Sequence, residues 1–306
     1  MMKLLFNQEG FSQDIKKVIG IIDADLSWDR MRPSLEIATD EIVDIIGETN
    51  YTTISAEVIP EGQQRFFELV RFAIAFKAYM HYAPTGDLAM TNKGRTMRRD
   101  EYEVGAFEWQ ISNHNESLER FFYKHMNLLF KFMVKNSLII NLEKYKHNTL
   151  IVPTLAEFET HYGLNESYFL YLNLLPGLRE FEDLEMLSRI GEVLYNDRNA
   201  LKDKKVLYNY LQKSSVYYSI EWGLRHLDIQ MFPKSIFRST ESSGGISPKS
   251  KTGPLPSELA LVFEKDYHRY LKKVENEMTS FRVTVPSDDF RLPELDFDND
   301  DNFVST

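Results

Sequence analysis

Apolar positions in this chain recur mainly at helical spacing. Leu35, Ala38, Ile42, Ile45 and Ile46 fall three or four apart behind Arg32-Pro33, and Gly47 follows them. That pattern predicts an amphipathic helix with proline at its first position and glycine at its stop. A shorter helix is expected before it, from about Ser12 to Val18 with Ser12 as N-cap, while Asn50–Thr53 reads as an irregular or short extended exit. Residues 62–82 are apolar nearly all round (Phe66, Leu69, Val70, Phe72, Ile74 and Phe76 among them), which predicts a helix at the centre of its unit. Pro84 and Gly86 are expected to end it. Asn92-Lys93-Gly94, set between Leu88-Ala89-Met90 and Thr96-Met97, predicts a small β-hairpin over 87–97. A long closing helix then runs from about Asp100 to Lys135, with Phe107, Ile111, Leu118, Phe122, Met126 and Phe130 on its buried stripe.

The second half presents the same order. Pro176 precedes Leu178, Phe181, Leu184, Leu187 and Ile190, with Gly191 at the expected stop. Residues 199–222 predict an aromatic-rich helix, Leu224–Phe237 a second hairpin turning at Pro233-Lys234-Ser235, and Ser257–Met278 a closing helix capped by Ser257. Setting Pro33 on Pro176 places Leu35 on Leu178 directly and Gly47 on Gly191 with one inserted residue; further on, Met80 falls on Ile220 and Tyr82 on Trp222. The expected fold is therefore mainly α: two diverged copies of a helical bundle unit, each with a small β-hairpin before its closing helix. The first copy would span 1–147 and the second 148–281. A mobile loop rich in Ser, Gly, Lys and Pro is expected at 239–256, and an acidic extended tail at 282–306.

Composition narrows the function classes. Hydrophobic residues make up 43% of the 306-residue chain, ample for packed cores. There is no cysteine, which removes disulfides, thiolate metal sites and cysteine nucleophiles together. The first ten residues hold too short an apolar run for an export signal, and no apolar stretch approaches the length of a membrane span. The net charge of −10 argues against a freestanding nucleic-acid binder, whose affinity rests on a basic face.

Catalytic motifs are missing. No phosphate-binding glycine loop, HExxH or Gly-x-Ser-x-Gly elbow occurs, and the seven histidines are scattered. Asn113-His114-Asn115-Glu116 reads as a solvated helix face, and Glu101 and Glu103 as carboxylates complementing a helix start. No enzyme activity, metal or cofactor is expected. Two surface features stand out instead. Lys93, Arg95, Arg98 and Arg99 form a basic cluster at the hairpin, facing DNA or an acidic partner, or pairing with Asp100, Glu101 and Glu103. In the acidic tail, Phe290, Leu292, Leu295, Phe297 and Phe303 are spaced as in docking peptides, and the same composition also fits a plain disordered tail.

Three stretches carry a resemblance: Lys3-Leu4-Leu5-Phe6-Asn7, the helix Arg32-Pro33-Ser34-Leu35-Glu36-Ile37-Ala38 ending at Ile46-Gly47, and Tyr102-Glu103-Val104-Gly105-Ala106-Phe107-Glu108-Trp109-Gln110. With the helical architecture, they resemble structural proteins of tailed phages and prophages of gut Bacteroidetes that look like head-to-tail connectors, or adaptors. The resemblance implies a virion protein assembled in the bacterial cytoplasm. It would form a ring of its own copies between portal and tail proteins, with the basic hairpin near DNA in the channel and no membrane contact. Known adaptors of this kind are commonly shorter, with one helical unit. The alternative reading is a non-viral helical scaffold or protein-interaction module.

Overall fold

The computed structural model describes residues 3–20, 26–86, 89–91, 94–96, 107–139, 142, 145–146, 149–233 and 256–283. In the first half the helices are α1 (Phe11–Ile19), α2 (Trp28–Ile46), α3 (Glu48–Ile54), α4 (Gln64–Gly86) and α5 (Glu108–Lys135). Helix α1 begins at Phe11 because Gly10 takes the left-handed conformation (φ 70°), so Ser12 lies inside the helix and is not its cap. Helix α2 starts five residues earlier than expected, placing Pro33 within it. The helix continues because Met31 and Leu35, on either side of the proline, are fully buried, and proline forfeits only one backbone bond near the helix start.

Residues 50–53 are helical, where an extended exit was expected. Tyr51 and Ile54 are buried one turn apart, and Thr52 and Thr53 return their hydroxyls to the carbonyls of Glu48 and Thr49. Tertiary packing here overrides the weak helix preference of threonine. The break that permits it is Gly47 (φ 87°): a Cβ there would stand 2.6 Å from Leu142 Cδ2. Helix α4 runs through Pro84 to Gly86 and so ends later than its sequence suggests.

The expected fold class does not hold as stated, since a hairpin is not a shared element of two units. The described part of the expected second hairpin, residues 224–233, contains no strand. Its first residues extend helix α10 (Lys205–His226), then Ile229–Met231 make one 3-10 turn and Phe232 is buried; residues 234–237 lie outside the described residues. The reason lies in Leu224 and Phe232, which are drawn into the core. Elsewhere, extended pairing among the described residues is limited to three-residue segments β1 (Ala89–Thr91) and β2 (Gly94–Thr96), in register Ala89↔Thr96. The molecule is a helical protein. The second half comprises α6 (Leu155–Glu159), α7 (Tyr168–Phe181), a π-helical turn (Glu182–Met186), α8 (Leu187–Asn196), α9 (Arg198–Asp203), α10 and α11 (Pro256–Val283). Helix α11 opens on Pro256, so Ser257 is inside it.

The likeness between the halves lies in helix packing. Helix α4 packs against α2 and α5, and α10 against α7 and α11. Residues Met31, Leu35, Ala38, Ile42 and Ile46 of α2 are buried, as are Leu174, Leu178, Phe181, Met186 and Ile190 in α7, the π turn and α8. From proline to glycine the second series is one residue longer, and the π turn absorbs that residue without turning the apolar stripe away from the core. Gly191 then takes a positive φ of 76°, like Gly47. Small residues let α7 and α10 approach closely. A Cβ on Gly177 would meet Ser219 Cα and Trp222 Cβ at 3.1 Å, and one on Gly223 would meet Leu174 Cδ2 at 2.5 Å.

The two bundles meet along α5 and α7. Phe130 and Phe169 pack at 5.0 Å between ring centroids, the Tyr123 hydroxyl donates to Asp228 Oδ2 at 2.8 Å, and Lys131 Nζ reaches Glu166 at 2.8 Å.

Between α4 and α5, His125 stacks on Phe72 at 3.5 Å beside Phe76 and Phe121, and its buried Nε2 has no hydrogen-bond partner. Burial, aided by Arg65, lowers its pKa from 6.5 to about 4. The unfolded chain takes up a proton near pH 6.5 that the folded chain refuses until about pH 4. The stability held by the neutral ring is therefore complete above pH 6.5 and lost as pH falls through 4, by up to about 2–3 kcal/mol. His125→Phe, which keeps the stack and removes the titration, is expected to lose less stability than the wild type between pH 7 and 4 in urea titrations. Parallel pH profiles for the two proteins would contradict this assignment.

Candidate functional site

A network of hydrogen-bonded polar side chains surrounds the segment 149–153, between the two bundles. This segment has no regular structure, so its backbone groups must find partners elsewhere. Tyr208 and Gln212 of α10 both donate to the Ile151 carbonyl at 3.1 Å, and Tyr171 of α7 donates to that of Val152 at 3.0 Å. The Ile151 N–H donates to the carboxylate of Glu182, the first residue of the π turn. The other oxygen of Glu182 accepts from Arg198 Nη2 at 2.5 Å, and the Arg198 guanidinium lies 4.8 Å from the Tyr195 ring centre.

Glu182 is only 3% exposed. Burial pushes its pKa up, opposed by the Ile151 N–H and by Arg198. Around this pair opens a cleft of about 650 Å3, whose polar lining includes Arg179, Asp183, Asn196, Arg198, Lys202 and Tyr208. Arg179 is committed to the Lys146 carbonyl at 2.5 Å, and Asp183 accepts from the Tyr195 hydroxyl at 3.3 Å. Both oxygens of Glu182 are engaged, one by the Ile151 N–H and the other by Arg198. The arrangement holds the connecting segment in place. Among the described residues, no group of three or more His, Asp or Glu side chains is placed to hold a metal ion.

A second cleft, about 490 Å3, lies along the seam of the bundles and is lined by Arg120, Phe121, Lys124, Phe169, Met231 and Phe232, among others. Helix α5 continues beyond this seam. From Phe107 to Asn115 every residue is exposed, with Phe107 at 64% and Trp109 at 54%. The Phe107 N–H donates to Gln110 Oε1 at 3.0 Å, which caps the helix start. The first turns of α5 thus project from the bundle with aromatic side chains in solvent. Glu108, rather than a residue near Asp100, begins this helix.

Of the residues singled out in the sequence, Lys93, Arg98 and Arg99, with their expected partners Asp100, Glu101 and Glu103, lie outside the described residues. So do Phe290, Leu292, Leu295, Phe297, Phe303 and the loop 239–255. Arg95 sits in β2, with its side chain outside the description. The Glu182–Arg198 pair escaped sequence reasoning. Its one trace in the sequence was the extra residue between Pro176 and Gly191.

Residues 42–149 match the model of a family of unknown function (DUF6712). The match runs from the last turns of α2 to the first residue of the Glu182 cleft and leaves the second bundle outside it. No curated protein and no solved structure matches the chain. No helix among the described residues is long and apolar enough to cross a membrane.

Removing Arg198 would leave the Glu182 carboxylate buried without its counter-charge. Arg198→Met is expected to cost roughly 2–4 kcal/mol at pH 8, since breaking a buried pair strands a charge. The loss shrinks at acid pH. With a folded pKa raised above the unfolded one, the contribution of Glu182 is complete below the ordinary carboxylate range and lost as pH rises through the folded value. Denaturant midpoints at pH 5 and pH 8 check this, and an equal loss at both would refute the coupling.

Proposed function

We propose that this protein is a non-enzymatic structural component of a phage virion, a head-to-tail connector forming a ring between portal and tail. The observation that carries an assembly role is the projecting start of α5, where Phe107, Trp109 and Ile111 are exposed on turns whose residues 107–115 are all exposed, ahead of the part of the helix that packs in the bundle. Isolated helical turns gain little stability in water, and exposed aromatic anchors are typical of interface hot spots. The choice of a connector among assembly proteins rests on the three resembling stretches. The third of these leads directly into this part of α5.

A ring needs two unlike faces on each subunit. The α5 projection would serve as one. The seam cleft, with Phe121, Phe169, Met231 and Phe232, would accept an apolar anchor as the other. The basic hairpin and the acidic tail would extend these contacts toward DNA in the channel and toward neighbouring rings. A helical scaffold of non-viral origin would use the same faces, and differs only in its partners.

Purified protein mixed with portal protein is expected to co-sediment as a ring-sized complex. Trp109→Glu combined with Phe107→Ser should weaken that association at least tenfold while leaving helix content unchanged, because both side chains are already in solvent. Failure to associate with portal or tail proteins, alongside specific recovery of a host protein from uninfected cells, would favour the scaffold instead.

A further inference from the structure

The paired surface of α10 and α11 carries a cluster of tyrosines and cations, in which Tyr210 and Tyr217 pack one side against the core and leave the other half-exposed. Lys213 Nζ lies 5.6 Å from the Tyr270 ring centre, Arg269 5.2 Å from the same ring, and Lys273 lies 5.2 Å from Tyr210 and 5.4 Å from Tyr270. Tyr217 completes the row, 5.6 Å from Tyr270. Arg269 and Lys273 are exposed, and Lys213 and the three tyrosines are half-buried. Arg269 also pairs with Asp266 at 3.1 Å, whereas Lys213 and Lys273 have no carboxylate within salt-bridge distance among the described residues. Flat rings alternating with uncompensated cations suit a ligand that alternates aromatic and anionic groups.

This chain contains such a segment. After Val283, the end of α11, there follow 23 residues with seven carboxylates and one arginine between Asp288 and Asp301. Phe290, Leu292, Leu295 and Phe297 are set among them. Lys273 lies ten residues before Val283, about 15 Å back along the helix. Seven extended residues span up to roughly 24 Å. A chain reversing after α11 therefore brings Phe290 level with Lys273 and Arg269. Tethering also gives the tail an effective concentration on the order of millimolar at this face, which favours it over a second copy.

We propose that the acidic tail 284–306 docks on the α10–α11 face of its own chain, its carboxylates on Lys213 and Lys273 and its phenylalanines on Tyr210, Tyr217 and Tyr270. The proposal stands apart from the connector reading, and either can fail alone. Its consequence is a tail held in place before any partner is met, and released by competition or by salt.

Arg291 provides the test, as the one tryptic site within the tail beyond Arg282. Full-length protein is digested briefly with trypsin at low ionic strength, and cleavage after Arg291 is followed by intact mass. The wild type should be cut at least tenfold more slowly than Lys213→Glu/Lys273→Glu, and 0.5 M salt should bring it to the rate of the variant. Lys213→Arg/Lys273→Arg should keep the protection. A change confined to the tail, Asp296→Ser/Asp298→Ser, should abolish it without touching the bundle, which covers the case of a misfolded lysine variant. Equal cleavage of wild type and both charge variants would overturn the proposal. So would protection that grows with protein concentration, since that places the tail on another copy. Loss of duplex DNA binding in the lysine variant, with tail cleavage unchanged, would assign the face to nucleic acid and overturn it as well.

Discussion

Two helices impose the architecture: α4, apolar nearly all round, and α10, whose turns from Leu211 to Leu224 are buried on most sides. A helix with a single apolar stripe can lie on a surface; one without a polar face must be surrounded. Helix α4 buries Phe66, Val70, Ala73, Ile74, Phe76 and Ala78, and α10 buries Leu207, Leu211, Ser214, Ser215, Val216 and Ile220. Each therefore recruits a helix on either side, α2 and α5 for the first, α7 and α11 for the second. The means of close approach differ. Around α4 the space is filled by aromatic side chains, including the Phe72–His125 stack. Around α10 it is closed by small residues, with Ser214 and Ser219 returning their hydroxyls to α10 carbonyls at 2.9 and 2.8 Å.

Joining two such bundles leaves a connecting segment whose backbone groups need partners, and the Glu182 site meets that need. A buried carboxylate accepts a backbone N–H and is neutralised by Arg198, while two tyrosines and a glutamine hold the adjacent carbonyls. The π turn brings Glu182 to the position that does this. A local irregularity in helix geometry is thus connected to the junction between bundles.

Much of the helical order is legible in the sequence because it is written in apolar spacing: α2, α4, α10 and α11 stand within about six residues of their expected bounds, while α5 ends at the expected Lys135 but begins at Glu108 and not near Asp100. The misses share a physical cause, the dominance of tertiary contacts over local signals. Pro33 and Pro84 read as helix boundaries, yet buried neighbours carry the helices through them. Asn50–Thr53 reads as extended, yet Tyr51 and Ile54 are anchored in the core. Leu224 and Phe232, taken as a hairpin, are core residues. The Glu182–Arg198 pair has no local signature, because two charged residues far apart in the chain declare a partnership only once a fold brings them together. The projecting turns of α5 read in the sequence as part of its buried stripe, since apolar spacing alone does not tell Phe107 and Ile111, which are exposed, from Leu118 and Phe122, which are buried.

If α4 and α10 organise the two bundles and the seam joins them into one cooperative body, their amides should be the last to exchange. Native-state hydrogen exchange, resolved by peptide and followed through increasing denaturant, tests this directly. Both helices are expected to exchange through the same global opening, at free energies agreeing within about 1 kcal/mol, after the projecting turns of α5 have long exchanged. Exchange of α10 through an opening several kcal/mol below that of α4 would show two independent bundles and contradict the account.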